Sequence, residues 1–497
     1  MGRKVLLLTL ALLVACSDSS DAPPDSPTVA CDHYNPSRNV FFGDLHVHTA
    51  LSFDSYAFDV RNGPDDAYRF ALGERLALPP LDEQEVGTQF LQLERPLDFA
   101  AVTEHAEFLG ELAICLTPGV PGYDAALCET YRENGSLGQT LMGLALTMEM
   151  PMRDEEVCGD GQRCLEAAAS VWDEIVDSAQ RFNDMKGDCS FTTLIGYEYT
   201  ANTDASARHR NVIFANDVVP FPVSYMEAPR PQDLWAALRR DCIDAATGCD
   251  AIAIPHNTNQ SNGNAFALEY PGADSVGEER EQAALRAGIE PLVEIFQHKG
   301  SSECSTGFEE AFGVPDELCD FEILRAPPFE DCGDGTGSGG VANTGCVSRL
   351  DFVRGALLAG LGEQDRIGAN PYRLGVIGST DTHNGTPGAV VEGDWIGHRG
   401  SNDSLVEDRL GAPSFRGGPV FNPGGLAAVW AQENTRESLF AALKRREVYG
   451  TSGPRVVARL FGGWDLSPGL CDDPAMVEQA YREGVPMGSV LPSAPSG

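Results

Sequence analysis

The sequence predicts an α/β fold whose strands close into a mainly parallel barrel, and three observations predict it. Apolar, strand-like runs alternate with amphipathic, helix-like segments, the pattern of parallel pairing through crossover helices. Several of these runs end on a histidine or an acid, as in "DLHVH", "VTEH", "IPHN" and "STDTH". Polar residues at the ends of many different strands fit a closed barrel, in which those ends converge on one mouth, better than an open doubly wound sheet.

The N-terminal segment stands apart from that fold. In residues 1–15 a basic "MGRK" precedes "VLLLTLALL", an apolar stretch too short to span a bilayer. Leu13-Val14-Ala15-Cys16 resembles the lipobox of bacterial lipoproteins, in which Cys16 is lipidated and becomes the mature N-terminus. An ordinary cleaved secretory signal is the alternative, and both imply export. Ser17, in place of the aspartate that retains such proteins at the inner membrane, favours outer-membrane anchoring. Residues 16–38, with "SDSSDAPPDSPT", read as a flexible tether.

From there the strand-like runs follow in order: "NVFFGDLHVH" at 39–48, "LDFAAVTEH" at 97–105, "FTTLIGYEYT" at 191–200, "RHRNVIFA" at 208–215, "DAIAIPHN" at 250–257, "PLVEIFQH" at 291–298 and "YRLGVIGSTDTH" at 372–383. Helix-like segments lie between them: "PDDAYRFALGER", "PQDLWAALRR" and "SRLDFVRGALLAGL", and a last one, "TRESLFAALKRRE", with Thr435 as its N-cap. Two long interruptions, about 107–190 and 299–350, read as disulfide-braced loops over the mouth. Within the second, "CGDGTGSGG" reads as a mobile loop and lacks the GK[ST] of a phosphate-binding P-loop. The domain plan is therefore a signal at 1–15, a tether at 16–38, a barrel at 39–455 and a C-terminal extension at 456–497.

The chain has fourteen cysteines, and with Cys16 removed an odd number remains, so at least one is unpaired within the chain. Sequence-close pairs are Cys158 with Cys164, Cys242 with Cys249, Cys304 with Cys319, and Cys332 with Cys346. No CxxC occurs, so structural disulfides in an exported protein are expected rather than a zinc ribbon. The formal charge of −39 argues against a nucleic-acid partner, since phosphate-backbone binding needs lysine and arginine to displace counterions.

Alternate residues of a strand face the same side, so His46 and His48 can grip one ion. An HxH alone is weak. The position of the other histidines strengthens it: His105, His209, His256 and His383 also fall at or beside strand ends. Asp381 precedes His383 with the same spacing, and Glu198 is a carboxylate in a run that otherwise favours burial, where it needs a cation or a donor. Imidazole with carboxylate suits Zn, Mn or Fe.

In this order, "DLHVHT", "TEH", "GYE", "HRNVIF", "IPHN" and "STDTH" resemble the successive motifs of the PHP (polymerase and histidinol phosphatase) superfamily. More closely, "FGDLHVHTALSFD", "PLDFAAVTEHAEFLG", "GSTDTHNGTPG" and "SLFAALKRREVYGTSGPR" resemble the bacterial PHP-like family called domain of unknown function 3604, over about 39–455. The resemblance implies a distorted (β/α)7 barrel and a phosphoesterase site of two or three divalent transition metals. It implies one ion on His46, His48, Glu198 and Asp381, a second sharing Glu198 and adding His209 and His256, and a third on Asp54, His105 and His383. "TEH" departs from the superfamily's aspartate before histidine, and Glu104 is expected to orient His105. The chain ends at "GVPMGSVLPSAPSG", where relatives continue, so a truncated chain or an early-ending member is expected.

These readings predict an exported, metal-dependent hydrolase of a small phosphoester, membrane-associated only through its lipid anchor. Lys299 and Arg210 are candidate contacts to an anionic substrate, with Arg455 in the same class. His298 and His398 read as supporting or loop histidines, His33 as part of the tether region, and Trp395 and Trp430 as packing residues. Two other classes stay open: an amidohydrolase-type enzyme acting on an amide, ester or lactone, and a surface lipoprotein that binds ligand or metal without turnover.

Overall fold

The computed structural model describes residues 31–308, 318–411 and 421–495. The signal and Cys16 lie outside the described residues, as does most of the tether. No helix among the described residues is long and apolar enough to cross a membrane.

All seven strand-like runs form strands, each shorter than its apolar run. They are β1 (Asn39–Asp44), then, after the hairpin β2 (Leu76–Leu81) and β3 (Gly87–Leu91), β4 (Phe99–Ala100), the pair β5 (Thr192–Thr193) and β6 (Gly196–Tyr199), β7 (His209–Phe214), β8 (Ala251–His256), β9 (Leu292–Gln297) and, after β10 (Gly300–Ser301), β11 (Gly375–Gly378). Two strands absent from the expectation follow, β12 (Leu426–Ala431) and β13 (Val448–Thr451). The "LAAVWA" of β12 is buried on both faces and carries no polar end, so nothing marked it as part of a site-bearing sheet.

The architecture is mixed α/β, and here the structure corrects the expectation of a mainly parallel, closed barrel. Among the described residues the main ladders are β13-β12-β1-β4-β5, β6-β7-β8 and β10-β9-β11, and they do not join into one hydrogen-bonded ring. β1 pairs with β4 in parallel but with β12 antiparallel, and β6, β7 and β8 are antiparallel throughout. The short link 200–208 explains the antiparallel pairing of β6 with β7: it cannot make the long crossover that a parallel neighbour needs. Isolated parallel bridges, Val47 with Thr382 and His105 with Glu198, tie the ladders together beside the site.

The four expected helices are present as α2 (Pro64–Ala71), after the short α1 (Phe53–Ala57), then Pro231–Leu238, Val353–Ile367 and Arg436–Lys444; Thr435 Oγ1 caps the last by accepting from Ser438 N. The first interruption is not a loop. It folds as α3 (Leu109–Leu116), α4 (Ala126–Glu133), α5 (Gly135–Ala145), α6 (Glu155–Cys158) and α7 (Gln162–Phe182). In α7 the buried Cys164, Ala168, Trp172, Ile175 and Ala179 recur at helical spacing and bury one stripe. Gly110 lets α3 approach α7, because a Cβ there would lie 1.9 Å from the Cys164 carbonyl oxygen.

All four sequence-close disulfides are present, joined by Cys31–Cys189 and Cys115–Cys128, and Cys471 is free. The glycine-rich run also departs from the mobile loop expected: Gly337 N donates to Asn262 O, Gly339 N to Asp204 O and Gly340 N to Asn262 Oδ1. Backbone donors that a mobile loop would give to water are here satisfied by the core.

Candidate metal centre

His46 and His48 follow β1 directly. Leu45 and Val47, which alternate with them, are fully buried in the core, so strand alternation turns both imidazoles to the other side. The loop after β11 is laced to this segment: His48 N donates to Thr382 O at 2.8 Å, and Asp44 accepts from Thr380 N, Thr380 Oγ1 and Gly388 N. Burial raises the Asp44 carboxyl to about 6, against those donors. That lacing delivers Asp381 and His383. Asp381 sits at φ 54°, in the left-handed region that a non-glycine residue adopts at a cost of about 1–3 kcal/mol, and such strain concentrates at functional sites.

Glu198 is the hub. Its Oε2 lies 3.3 Å from His46 Nε2, 3.1 Å from His48 Nε2 and 3.3 Å from His105 Nδ1; its Oε1 lies 2.8 Å from His209 Nδ1 and 3.1 Å from His256 Nε2. Asp381 Oδ1 lies 3.1 Å from His46 Nε2 and 3.4 Å from His48 Nε2. Asp54 Oδ2 lies 3.3 Å from His105 Nε2 and 3.0 Å from His383 Nε2. All nine residues of the expected constellation thus meet in one place. His209 arrives differently from the expectation: it stands at the start of β7, not the end of a parallel strand, and reaches the site because the antiparallel ladder sets it opposite His256.

The electrostatics follow from burial and crowding. Burial pushes the Glu198 carboxyl up, and the His105, His256 and His209 imidazoles more than reverse it, holding it well below the usual range. Burial also opposes ionisation of Asp381, which His46 and His298 overcome to hold it well below the ordinary carboxylate range. Burial leaves His256 at about 4, hence neutral, while His105, despite burial, is lifted to about 10 by Glu198 and Asp54.

The donor chemistry fits transition-metal ions. His48 with His105 and His383, His46 with His48 and Glu198, and Glu198 with His209 and His256 each place their ligand atoms within 4.8 Å of one another. Among the described residues the buried His48 Nε2, His105 Nε2 and Asp381 Oδ1 make no hydrogen bond, although carboxylates or imidazoles stand close by. Atoms that converge without bonding one another are what a shared cation would satisfy. Divalent ions need neutral imidazole and carboxylate, so ion binding would displace the proton that Glu198 and Asp54 hold on His105.

Groups behind these atoms set their orientation. His46 Nδ1 donates to Glu294 Oε2 at 2.9 Å, leaving its Nε2 lone pair toward Glu198 and Asp381. Ser52 Oγ donates to Glu104 and accepts from His48 Nδ1 at 2.9 Å, with the same result for His48. Glu104 therefore orients His48 through Ser52, and not the His105 ring, whose Nδ1 meets Thr200 Oγ1.

Glu294 and Gln297 were not read as site residues from sequence. Gln297 Nε2 donates to Asp381 Oδ2 at 2.6 Å. Their spacing of three breaks strand alternation, and both face the site because of a register shift: Glu294 pairs with Ile377, but Phe296 with Gly378. A lone carboxylate inside the apolar "PLVEIF" was the available signal for Glu294.

The remaining candidates separate cleanly. Lys299 is buried and lines the cavity, its Nζ donating to Asn259 Oδ1 and Ser302 Oγ, and burial lowers its ammonium to about 7. His298 lies in the site too, with Nε2 3.4 Å from Asp381 Oδ2. His398 instead bonds Pro423 O, His33 contacts Asn434 N, Arg455 donates to the carbonyls of Arg95 and Pro96, and Trp430 Nε1 donates to Ala458 O. The Trp395 ring packs against His398 at an interplanar angle of 57°.

Arg210 is a correction. One residue beyond His209, it faces the opposite side of β7, where its Nε meets Glu290 Oε1 at 2.8 Å and Trp235 and Arg286 share the same carboxylate. Arg210→Ala is expected to cost about 3 kcal/mol of stability, since it breaks a buried ion pair while Arg286 still covers Glu290. Denaturant unfolding and steady-state kinetics check this together: a raised KM with unchanged stability would return Arg210 to the substrate.

Asp54, His105, Glu198, His209, Asp381 and His383 line a cavity of about 380 Å³ shared with Lys299 and Arg399. No curated protein matches this chain. A solved two-domain protein from Bacteroides vulgatus ATCC 8482, containing a predicted PHP-like metal-dependent phosphoesterase, is similar at 11% identity, covering 85% of this chain and 68% of that one with a TM-score of 0.29. That score is too low to argue from. The model of the protein family of unknown function DUF3604 matches residues 35–497, and the chain belongs to that family.

Proposed function

We propose that the protein is an exported, metal-dependent hydrolase of phosphate esters. The observation that carries this reading is the convergence of nine imidazole and carboxylate side chains on one cavity, with buried ligand atoms that bond nothing else among the described residues. In this reading one ion is held by His46, His48, Glu198 and Asp381, a second by Glu198, His209 and His256, and a third by Asp54, His105 and His383. Zn, Mn or Fe suits such a nitrogen and oxygen set. When bound, the ions supply Lewis acidity toward the phosphoryl oxygens and a water of lowered pKa.

The chain's own residues do the rest. Glu294 and Ser52 hold the tautomers of His46 and His48, and Asn202 does so for His209 by accepting from its Nε2. Lys299 and Arg399 line the cavity, where the Lys299 ammonium, lowered to about 7, is charged below neutral pH and can meet the substrate's non-bridging oxygens. Lys299→Gln keeps a side-chain donor for Asn259 and Ser302 but removes the charge. It is expected to raise KM for a phosphomonoester about 10-fold or more, the worth of a charge-assisted hydrogen bond. An unchanged KM would remove Lys299 from the substrate's contacts.

A distorted barrel of PHP type is the fold reading that accompanies this proposal, supported by the three ladders that each contribute to one site and by the bridges between them. Six disulfides among the described residues support export, and the lipobox-like segment supports anchoring through Cys16. The deciding experiment is elemental analysis of the purified protein, paired with a chromogenic phosphoester assay before and after chelation. Two or three transition-metal ions with chelator-sensitive hydrolysis support the reading. One ion or none, with no hydrolysis after Zn and Mn are restored, moves it to a binding protein, and hydrolysis of carboxyl esters or lactones alone moves it to amidohydrolase-type chemistry.

A further inference from the structure

We infer that the substrate is amphiphilic, its anionic ester head meeting the histidine and carboxylate floor and its apolar chain lying along α5. This rests on the hydrolase reading above. The cavity wall above the floor includes Phe53, Phe58, Leu144, Leu324, Val341 and Phe421. These come from α1 and its flank, from the helical insertion, from the second interruption and from the segment before β12, so four separate parts of the chain each place apolar side chains at one charged site.

The apolar character continues outward. Leu137, Leu141 and Leu144 stand four and three residues apart on α5, on one face of the helix, and remain 48%, 43% and 57% exposed. Met148, Met150 and Met152, in the segment after α5, are exposed too. Leu141 and Met152 border a second cavity of about 370 Å³, where Phe108, Leu127, Met142 and Ala145 form an apolar side and Glu111 and Asp154 a polar one. Leu144 lines the metal-centre cavity, so one helix face joins the two hollows. Monomeric proteins rarely expose a continuous apolar strip of this kind without an occupant, and methionine adapts to flexible chains. The site supplies its orientation: the track begins at the cavity of the imidazole and carboxylate ligand set, where the ions of the proposed reading, with Lys299 and Arg399 beside them, favour an anionic head. In hydrolysis, water oxygen bonds to phosphorus, the P–O bond to the chain breaks, and the departing alkoxide takes the proton that water loses, releasing a long-chain alcohol and inorganic phosphate.

The test is calorimetric titration of the metal-loaded full chain with methyl-, butyl- and decylphosphonate below their micelle concentrations, and with decanol. Affinity is expected to rise at least about 100-fold from methyl to decyl, because each methylene buried adds to binding. The double variant L141S/L144S, changed at exposed positions that do not jeopardise folding, is expected to cut that ratio below about tenfold. Equal affinity for all three phosphonates overturns the apolar track while leaving the anion site standing. If none binds, both this inference and the phosphoester reading fall. Decanol binding as tightly as decylphosphonate breaks the link between track and site, and an undiminished ratio in the double variant removes α5 from it. Sedimentation with phosphatidylcholine vesicles, without chain-length dependence for the free amphiphiles, would make the strip a membrane-docking surface instead.

Discussion

Glu198→Gln is expected to abolish phosphoester hydrolysis, lowering kcat/KM by at least about 1,000-fold, and to lower the metal content by at least one ion. The magnitude follows from the loss of several kcal/mol of transition-state charge stabilisation at about 1.4 kcal/mol per tenfold. Glu198 stands out because five imidazoles, those of His46, His48, His105, His209 and His256, approach its two oxygens. Glutamine keeps the volume, so circular dichroism should remain that of the parent. By contrast two imidazoles among the described residues, those of His105 and His383, approach Asp54, so Asp54→Asn is expected to lose a single ion at most. Full metal content in Glu198→Gln with more than about a tenth of parental activity would sink the shared-ligand assignment.

Loss of the Cys31–Cys189 disulfide is expected to be the largest purely structural effect. It closes a loop with a sequence separation of 158, far longer than the other five bridges, and ties the segment before β1 to the segment before β5. Chain-entropy reasoning gives about 4–5 kcal/mol for a loop of this size. A Cys31→Ser, Cys189→Ser variant should therefore melt about 4–6 °C lower, measured at one scan rate against the parent. A drop below about 2 °C would show that the unfolded chain is not constrained by this bridge. Metal content should stay unchanged, because neither cysteine touches the site.

Much of the site was legible before folding. Histidines and acids at the ends of apolar runs are chemically conspicuous, and the nine residues named on that basis and on the family resemblance do meet around Glu198. The seven apolar runs and four helices are also where the sequence placed them, since period-two and helical burial patterns are local properties. The first interruption was misread for a reason equally local: its cysteines and glycines look like loop punctuation, yet "QRCLEAAASVWDEIVDSAQRF" buries one stripe at helical spacing. The glycine-rich run was misread because its backbone donors find acceptors, Asn262 and Asp204, that lie far away in sequence.

Strand direction, register and facing are a different matter. The short link 200–208 requires β7 to run antiparallel to β6, but only the register of β7 on β8, which sets His209 opposite His256, sends His209 into the site and Arg210 into the Glu290 network behind it. Glu294 and Gln297 share the site's face only because the pairing with β11 slips between Ile377 and Gly378. Composition and periodicity thus establish which side chains can bind a metal ion and which segments become strands and helices, because both depend on residues close in the chain. Which carboxylate stands behind which imidazole, and whether three ladders meet around one cavity, depends on pairings between residues hundreds of positions apart, whose energies exist only once the core has formed.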